Sequence, residues 1–206
     1  MKIPVPFAAN VPVTISVAMI LALSACSDGG PKSSAPVREM YRLNKLADFE
    51  FQEVNARGIT RQDMLGKVWL AATVFTSCMT HCPVMCREMN KLQDEFAEDA
   101  DFRMMTVTVD PARDNIDVLA NFAKAYYAKP DRWYFVRHPD RAVTRKFVVD
   151  GLQIPWNDKE PLMHSYSMVL VDREGVVRGF YKQNDRDAMK ALRVHIRKLL
   201  DETSKS

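Results

Sequence analysis

The fold is decided by residues 67–92, which read KVWLAATVFTSCMTHCPVMCREMNKL. Residues 68–75 are almost entirely apolar, and a run of that length is typical of a strand buried on both faces of an α/β sheet. After a short loop, apolar residues recur with helical spacing at Met85, Met89, Leu92 and Phe96. The stretch therefore predicts a buried strand, a sharp loop and an amphipathic helix.

Three of the four cysteines in the 206-residue chain lie where this loop becomes the helix. Pro83 suits the first helical position, where its missing N–H needs no partner, and this places Cys82 at or near the N-cap. Cys82 and Cys86 share one helix face, so their sulfurs can converge on one ion or approach disulfide range. The helix N-terminus favours thiolates, which are soft ligands that suit Cu(I), with zinc as a competitor. Two thiolates leave copper in need of a third donor, and a histidine is the expected one.

The composition excludes several other classes of protein. Hydrophobic residues make up 47% of the chain and charged residues 27%, as in ordinary soluble globular domains. The net charge of +3 gives no reason to expect nucleic acid or a strongly anionic partner. Four cysteines are too few for a disulfide framework in a chain of this length, so each one needs its own explanation.

The first 25 residues are predicted to lie outside the folded domain. An apolar run, residues 13–25, follows a segment whose only charge is Lys2, a pattern typical of a signal-peptide core. The run ends in Leu23-Ser24-Ala25-Cys26, which resembles the bacterial lipobox, whose cysteine is lipidated when the signal is removed. The alternative is an ordinary signal peptide with Cys26 incidental.

The chain is therefore expected to have three parts. Residues 1–25 are a lipoprotein signal peptide, and residues 26–42 hold the lipidated cysteine and a flexible tether rich in Gly, Ser and Pro. Residues 43–202 form the folded domain. This organisation predicts a membrane-anchored lipoprotein of the cell envelope that faces the periplasm.

Strand and helix patterns alternate through the domain. Residues 46–60 suggest a β-hairpin around an Asn/Gly turn, and residues 165–181 suggest a second hairpin around the turn at 172–175. Further strands are predicted at 102–109 and 133–136, and helices at 115–127, 142–149 and 185–200. An early parallel βαβ unit and a late hairpin predict an α/β protein with a mixed sheet flanked by helices, and the thioredoxin-like fold fits best. The cysteines would follow the carboxyl end of a central strand, where such sheets bind ligands.

Five motifs between Leu46 and Lys198 resemble those of the SCO/SenC copper-delivery proteins. They are GKVW (66–69) before the strand, FT (75–76) before the loop, THCPVMC (80–86) as the CPxxC copper motif, TVDPARD (108–114) as the Asp-Pro-x-Arg-Asp signature, and HS (164–165) as the distal histidine segment. The resemblance implies that Cys82, Cys86 and His164 bind copper. It also implies a membrane-tethered metallochaperone that delivers copper to a cuproprotein client, such as an oxidase subunit, in cytochrome oxidase assembly.

Cys78 is not part of the common motif, and Arg87 stands where the family usually has a second proline. Cys78 could complete a Cys₃His site that favours zinc, or it could be a small packed residue. Cys82 could form a disulfide with Cys78 or with Cys86. Two other functions stay open: a thiol–disulfide oxidoreductase that reduces cysteines of a partner's metal site, and a scaffold with vestigial thiols. The sequence alone therefore leaves open whether the chain is an enzyme.

Other residues near the motifs are given supporting roles. Asp110 and Arg113 are expected to order the loop beside the site through a turn and an ion pair, although they could simply end the strand and cap the next helix. His81 is expected to point away from the metal. His138 and His195 are expected at the surface, and Met163 in core packing.

Overall fold

The computed structural model describes residues 39–157 and 166–202, in which strands and helices alternate. The strands are β1 (Glu50–Glu53), β2 (Gly58–Thr60), β3 (Val68–Val74), β4 (Phe102–Thr108), β5 (Trp133–Arg137), β6 (Ser167–Val171) and β7 (Val177–Lys182). The helices are α1 (Arg61–Met64), α2 (His81–Glu95), α3 (Ile116–Ala125), α4 (Arg141–Lys146) and α5 (Arg186–Asp201), and a π-helical turn, Phe147–Gly151, follows α4. His164 and Met163 lie outside the described residues, as do Cys26 and the predicted signal peptide.

The strands form one mixed sheet in the order β2-β1-β5-β4-β3-β6-β7. β3, β4 and β5 run parallel, while β1 with β2 and β6 with β7 are antiparallel hairpins. The predicted early parallel unit and both predicted hairpins are thus confirmed. The arrangement is that of a thioredoxin-like fold with an added N-terminal hairpin, as the sequence pattern predicts.

β3 lies inside the sheet, and all seven of its residues are buried. Leu70, Ala72 and Val74 pack into one core with the inner faces of α2 and α5. Trp69 and Ala71 pack into a second core on the opposite face of the sheet, with residues of the N-terminal hairpin and the π-helical turn. Because both faces of the strand are covered, its sequence is apolar apart from buried Thr73. The predicted inward stripe of α2 (Met85, Met89, Leu92 and Phe96) is buried as well.

His195 contradicts the expectation of a surface residue. Its side chain is 4% exposed, and its Nδ1 lies 2.6 Å from the Oη of Tyr181 on β7. A buried imidazole needs such a hydrogen-bond partner to replace its lost hydration. The apolar stripe of α5 consists of Met189, Leu192, Ile196 and Leu199. His195 directly precedes Ile196, so it lies at the border of that stripe, where helical periodicity does not separate buried from exposed positions.

None of the helices in residues 39–157 and 166–202 is long and apolar enough to cross a membrane.

Candidate metal centre

The cysteines lie at the carboxyl end of β3, where residues 75–80 lead into α2. The helix begins at His81, so Cys82 is its second residue and Pro83 its third, not its first as the sequence predicts. Proline is tolerated at the third position because the first turn of a helix has N–H groups without intrahelical acceptors. The first turn therefore places Cys82 inside the helix and leaves Cys78 outside it, facing the helix N-terminus.

Cys78 is the thiol that faces the free amides of this helix. Its Sγ lies 3.5 Å from the backbone N of Cys82 and accepts a hydrogen bond from it. Burial of the side chain opposes ionisation, but hydrogen bonds from the amides of Cys82, Thr80 and His81 lower the pKa of Cys78 below its ordinary value. The amides at a helix N-terminus form a natural site for an anion, and the Cys78 sulfur is the group that faces them here.

The other two thiols are held in the neutral form. Burial raises the pKa of Cys82 to about 12, and the nearby Cys78 and the Asp114 carboxylate add to the rise. Burial also raises the pKa of Cys86, which has no exposed surface. The expectation that the helix N-terminus favours the thiolates of Cys82 and Cys86 is therefore wrong for both. Their side chains leave the helix into the core beneath it, away from the free amides.

The three thiols lie at increasing depth in the domain, in the order Cys78, Cys82 and Cys86. Cys78 is on the loop beside Met79, whose side chain is 88% exposed, and Cys86 is one turn below Cys82 in the core of the domain. Within residues 39–157 and 166–202, no group of three or more His, Cys, Asp or Glu side chains is arranged to hold a metal ion. The described thiols therefore supply adjacent donors at Cys78 and Cys82, and a metal bound there needs a donor from another part of the protein.

His81 is the first residue of α2. Its ring stacks on the ring of Tyr166, with 3.7 Å between the centroids and 27° between the planes. Tyr166 directly precedes β6, so this contact attaches the chain entering that strand to the cysteine end of the sheet.

Asp114, the last residue of the TVDPARD motif, has a role in the site that the motif itself does not indicate. The side chain is 1% exposed, and its carboxylate accepts hydrogen bonds from the backbone N of Thr76 at 3.1 Å and from the hydroxyl of Thr108 at 2.5 Å. Thr76 begins the loop that holds Cys78, and Thr108 ends β4. The carboxylate thus ties the cysteine loop to the neighbouring strand. A threonine just after one strand, a threonine at the end of the next strand and an acidic residue in the following loop are the sequence signal for this arrangement.

The expected ion pair between Asp110 and Arg113 is present, with 3.3 Å between Oδ2 and Nη1. The Arg113 side chain is largely exposed, so the pair itself adds little stability. In the turn that they share, the backbone N–H of Asp114 also donates a hydrogen bond to the Asp110 carbonyl, with 2.9 Å between N and O. Their connection to the cysteine loop is therefore indirect, through the position of Asp114.

The fold and the site together define a class of protein. Adjacent thiols at the carboxyl end of a central strand, on a thioredoxin-like sheet, are suited to binding a soft metal ion or to exchanging disulfides. Comparison with known proteins gives the family within this class. The SCO1/SenC family model matches residues 39–201. The chain therefore belongs to the SCO1/SenC family.

One relative and three solved structures illustrate the similarity. A SCO1 protein homolog of Bacillus subtilis (strain 168) is 29% identical over 162 residues, which are 77% of this chain and 81% of that protein. A SCO1/SenC family lipoprotein from Bacillus anthracis str. Ames superposes with a TM-score of 0.70 at 25% identity, over 79% of this chain and 98% of that one.

The other two structures share the fold at lower identity. BsSco, a member of the Sco family of cytochrome c oxidase assembly proteins in which a disulfide switch was identified, has a TM-score of 0.71 at 24% identity, over 81% of this chain and 99% of that one. ScoI of Bradyrhizobium japonicum, solved with copper bound, has a TM-score of 0.61 at 20% identity, over 76% of this chain and 99% of that one.

Proposed function

We propose that this chain is a membrane-tethered copper-binding protein that delivers copper to cytochrome c oxidase or to a similar cuproprotein. The observation that carries the proposal is the pair Cys78 and Cys82. The amide of Cys82 lies 3.5 Å from the Cys78 sulfur, and the loop between them reaches the surface at Met79. The relative solved with copper bound and the oxidase-assembly relative support the choice of metal and of client.

The donor set fits Cu(I). Thiolates are soft ligands that select Cu(I), whereas a structural zinc site almost always has four protein ligands. The described residues supply two adjacent sulfurs, and the family motif supplies His164 as the third donor. Tyr166 stacks against the first residue of α2, and His164 precedes Tyr166 by only two residues. The motif residue His164 is thus close in sequence to a residue that contacts the helix bearing Cys82.

The geometry favours Cys78 over Cys86 as the partner of Cys82. Cys78 lies on the loop beside exposed Met79 with its sulfur against the Cys82 amide, whereas Cys86 has no exposed surface and lies one helical turn further into the core. All three thiols are buried, but Cys78 is the nearest to the surface, so an ion held by Cys78 and Cys82 lies closer to solvent than one held by Cys82 and Cys86. Burial of a charge is costly, which favours the shallower pair. We therefore assign the ligands as Cys78, Cys82 and His164. Cys86, which the motif resemblance implies as a ligand, becomes the alternative.

Competition titration of the reduced full chain with Cu(I) tests this assignment. We expect one tightly bound Cu(I), about 100-fold weaker binding in Cys78→Ser, Cys82→Ser and His164→Ala, and nearly unchanged binding in Cys86→Ser. X-ray absorption should show two sulfur donors and one nitrogen donor. Loss of binding in Cys86→Ser, with retention in Cys78→Ser, would assign the pair to Cys82 and Cys86 instead. Equal binding by all four variants would reject the copper function.

The lowered pKa of Cys78 favours a second function, reduction of a partner's disulfide. The Cys78 thiolate would attack the partner disulfide and form a mixed disulfide, which releases one partner thiolate. Cys82 would then attack the Cys78 sulfur, pass its proton to the partner, and release the second partner thiol. One disulfide is reduced in the partner and one is formed between Cys78 and Cys82, so two electrons are transferred. Cys82→Ser should trap the mixed disulfide, and absence of any trapped partner alongside normal Cu(I) binding would reject this function.

We further propose that lipidated Cys26 anchors the protein in the cell envelope, facing the periplasm. The proposal is supported by Leu23-Ser24-Ala25-Cys26 and by the B. anthracis relative, which is a lipoprotein. Growth with labelled palmitate should label the wild type and leave Cys26→Ala unlabelled. An unlabelled wild type would reject the lipid anchor without bearing on copper binding.

A further inference from the structure

We propose that the thioether of Met79 is an external ligand that holds Cu(I) briefly as the ion enters or leaves the Cys78–Cys82 pair. The inference rests on the proposed copper function and adds the route by which the ion reaches the two thiols. Met79 lies in the loop that joins these cysteines, and its side chain is 88% exposed.

Met79 differs from the other methionines in its exposure. Within residues 39–157 and 166–202, every other methionine is buried or half-buried. Met79 is also the most exposed of the large hydrophobic side chains in those ranges. The other exposed side chains of the cysteine loop, Ser77 and Thr80, are polar. Burial would stabilise a large apolar side chain, so packing does not explain why a methionine occupies this position.

The loop directs its thiol inward and its thioether outward. The Cys78 Sγ lies 3.9 Å from the Thr80 Oγ1 and 3.5 Å from the Cys82 backbone N, so this sulfur is on the inner side of the turn. Cys78 is 7% exposed, whereas the next residue, Met79, points into solvent. A soft donor therefore lies on the solvent side of the same backbone that carries the shallowest thiol.

A thioether has the properties of a temporary copper ligand. It is soft, as a ligand for Cu(I) should be, but it carries no charge and is therefore a weaker donor than a thiolate. The methionine side chain is also unbranched and flexible, so its sulfur can change position without movement of the backbone. Met79 can thus take up the ion at the surface and give it up to the stronger donors beneath.

Loading is an exchange of ligands. Cu(I) bonds to the Met79 Sδ as one ligand of its donor leaves. The sulfurs of Cys78 and Cys82 then bond to the ion, the bond to Sδ breaks, and any proton on a thiol passes to solvent. Copper remains Cu(I) throughout, so no electron is transferred. Release follows the same steps in reverse, with ligands of the acceptor replacing the thiolates.

Exchange of Cu(I) between the reduced full chain and the chelator bicinchoninate tests this route. A ligand used only during transfer lowers the barrier equally in both directions, so it changes the rates and not the equilibrium affinity. Met79→Leu keeps an apolar side chain but has no sulfur. We expect it to slow loading and release about tenfold each and to leave the Kd within about twofold of the wild type.

Val84→Ala is the matched control for these rates. Val84 is in the first turn of α2 and is also an exposed apolar residue, but it has no donor atom. Val84→Ala should exchange copper at the wild-type rates, and Met79→Ala should exchange it as slowly as Met79→Leu.

NMR of the chain labelled with [methyl-13C]methionine gives a readout that does not depend on rates. Anaerobic addition of Cu(I) beyond one equivalent should shift the methyl signal of Met79, which is assigned by its loss in Met79→Leu. The signals of the buried methionines should not move further after the first equivalent.

Each result has a defined meaning. Wild-type rates in Met79→Leu overturn the inference, and if Met79→Ala alone is slow, the residue acts as an apolar contact and not as a ligand. A Kd weakened as much as loading is slowed makes Met79 a resident ligand and overturns it too, as does a methyl signal that stays fixed. A wild type that binds no Cu(I) defeats the proposed function, whereas these failures in a chain that binds one Cu(I) defeat only the role of Met79.

Discussion

The carboxylate of Asp114 accepts a hydrogen bond from the hydroxyl of Thr76, with 2.5 Å between Oδ1 and Oγ1. The two residues are 38 positions apart in the chain. The Thr76 amide and the Thr108 hydroxyl donate to the same buried carboxylate. Because Cys78 follows Thr76 by two residues, the position of its thiol depends on a residue from a different loop.

Asp114→Ala should lower the free energy of unfolding by about 3 kcal/mol, because hydrogen bonds to a charged group are each worth about 1.5–3 kcal/mol and their donors would be left unpaired. Cu(I) affinity should fall about tenfold, since the cysteine loop loses its attachment. Urea unfolding and Cu(I) competition measure the two effects. Arg113→Ala, at an exposed ion pair in the same loop, should cost less than about 1 kcal/mol. Equal costs for the two variants would contradict a special role for Asp114.

Cys78 should be the first of the three domain thiols to react with iodoacetamide at pH 7. Its pKa is lowered by the helix amides, whereas burial raises those of Cys82 and Cys86, and the thiolate is the reactive form. Peptide mapping by mass spectrometry should show labelling at Cys78 at least tenfold faster than at the other two. In Cys78→Ser the remaining two should stay slow. Fast labelling of Cys86 would contradict the depth order of the thiols.

Stability should fall as the pH rises above about 8.5. Unfolded thiols ionise near that pH, whereas folded Cys82 has a pKa of about 12 and that of Cys86 is also raised. The unfolded chain therefore loses protons that the folded chain keeps, and each thiol removes up to about 1.4 kcal/mol per pH unit. The lowered pKa of folded Cys78 makes the free energy of unfolding rise with pH, but only below about 8.5, where the unfolded thiol is still protonated. It therefore does not offset the loss of stability above that pH.

Urea unfolding under reducing conditions between pH 8.5 and 9.5 measures that slope. Cys86→Ala should reduce it by about half, because one of the two neutral buried thiols is removed. The same slope in Cys86→Ala and the wild type would show that Cys86 does not contribute.

Tyr181→Phe should destabilise the domain by about 1–3 kcal/mol, because it removes the hydroxyl that lies 2.6 Å from Nδ1 of buried His195. Copper affinity should be unchanged, since this pair lies between β7 and α5. Thermal or urea unfolding measures the loss. Tyr134→Phe, whose hydroxyl donates to the Asp131 carbonyl at the part-buried edge, is the control and should cost less. A Tyr181→Phe variant as stable as the wild type would show that the bond contributes nothing net.

Local periodicity predicts most of the fold. The almost entirely apolar run of β3, the two hairpins and the inward stripes of α2 and α5 follow from burial patterns that the nearby sequence contains. His195 marks the limit of such prediction. A residue beside the apolar stripe of α5 is buried or exposed according to what packs against that edge of the helix, which here is Tyr181.

The site is less predictable because it depends on the backbone path and on long-range register. Cys78, Cys82 and Cys86 are equally spaced, so spacing alone does not show which thiol faces the helix amides. The path of the loop decides it, and that loop includes a turn in which the Cys78 amide donates a hydrogen bond to the Phe75 carbonyl at 3.1 Å. Asp114 reaches Thr76 only because β3 and β4 pair with Val74 opposite Thr108, a register that no local pattern specifies.

The anchors of the cysteine loop also set an order in time. Synthesis proceeds from the N-terminus, so all three thiols emerge before Asp114 and well before Tyr166. Until those residues arrive, the loop closures that organise Cys78 have not formed. A nascent chain that met an oxidant at this stage would have three unshielded thiols and no preferred pairing. The thiols of this domain are thus made first and enclosed last, and their pairing is decided by residues that the ribosome adds later.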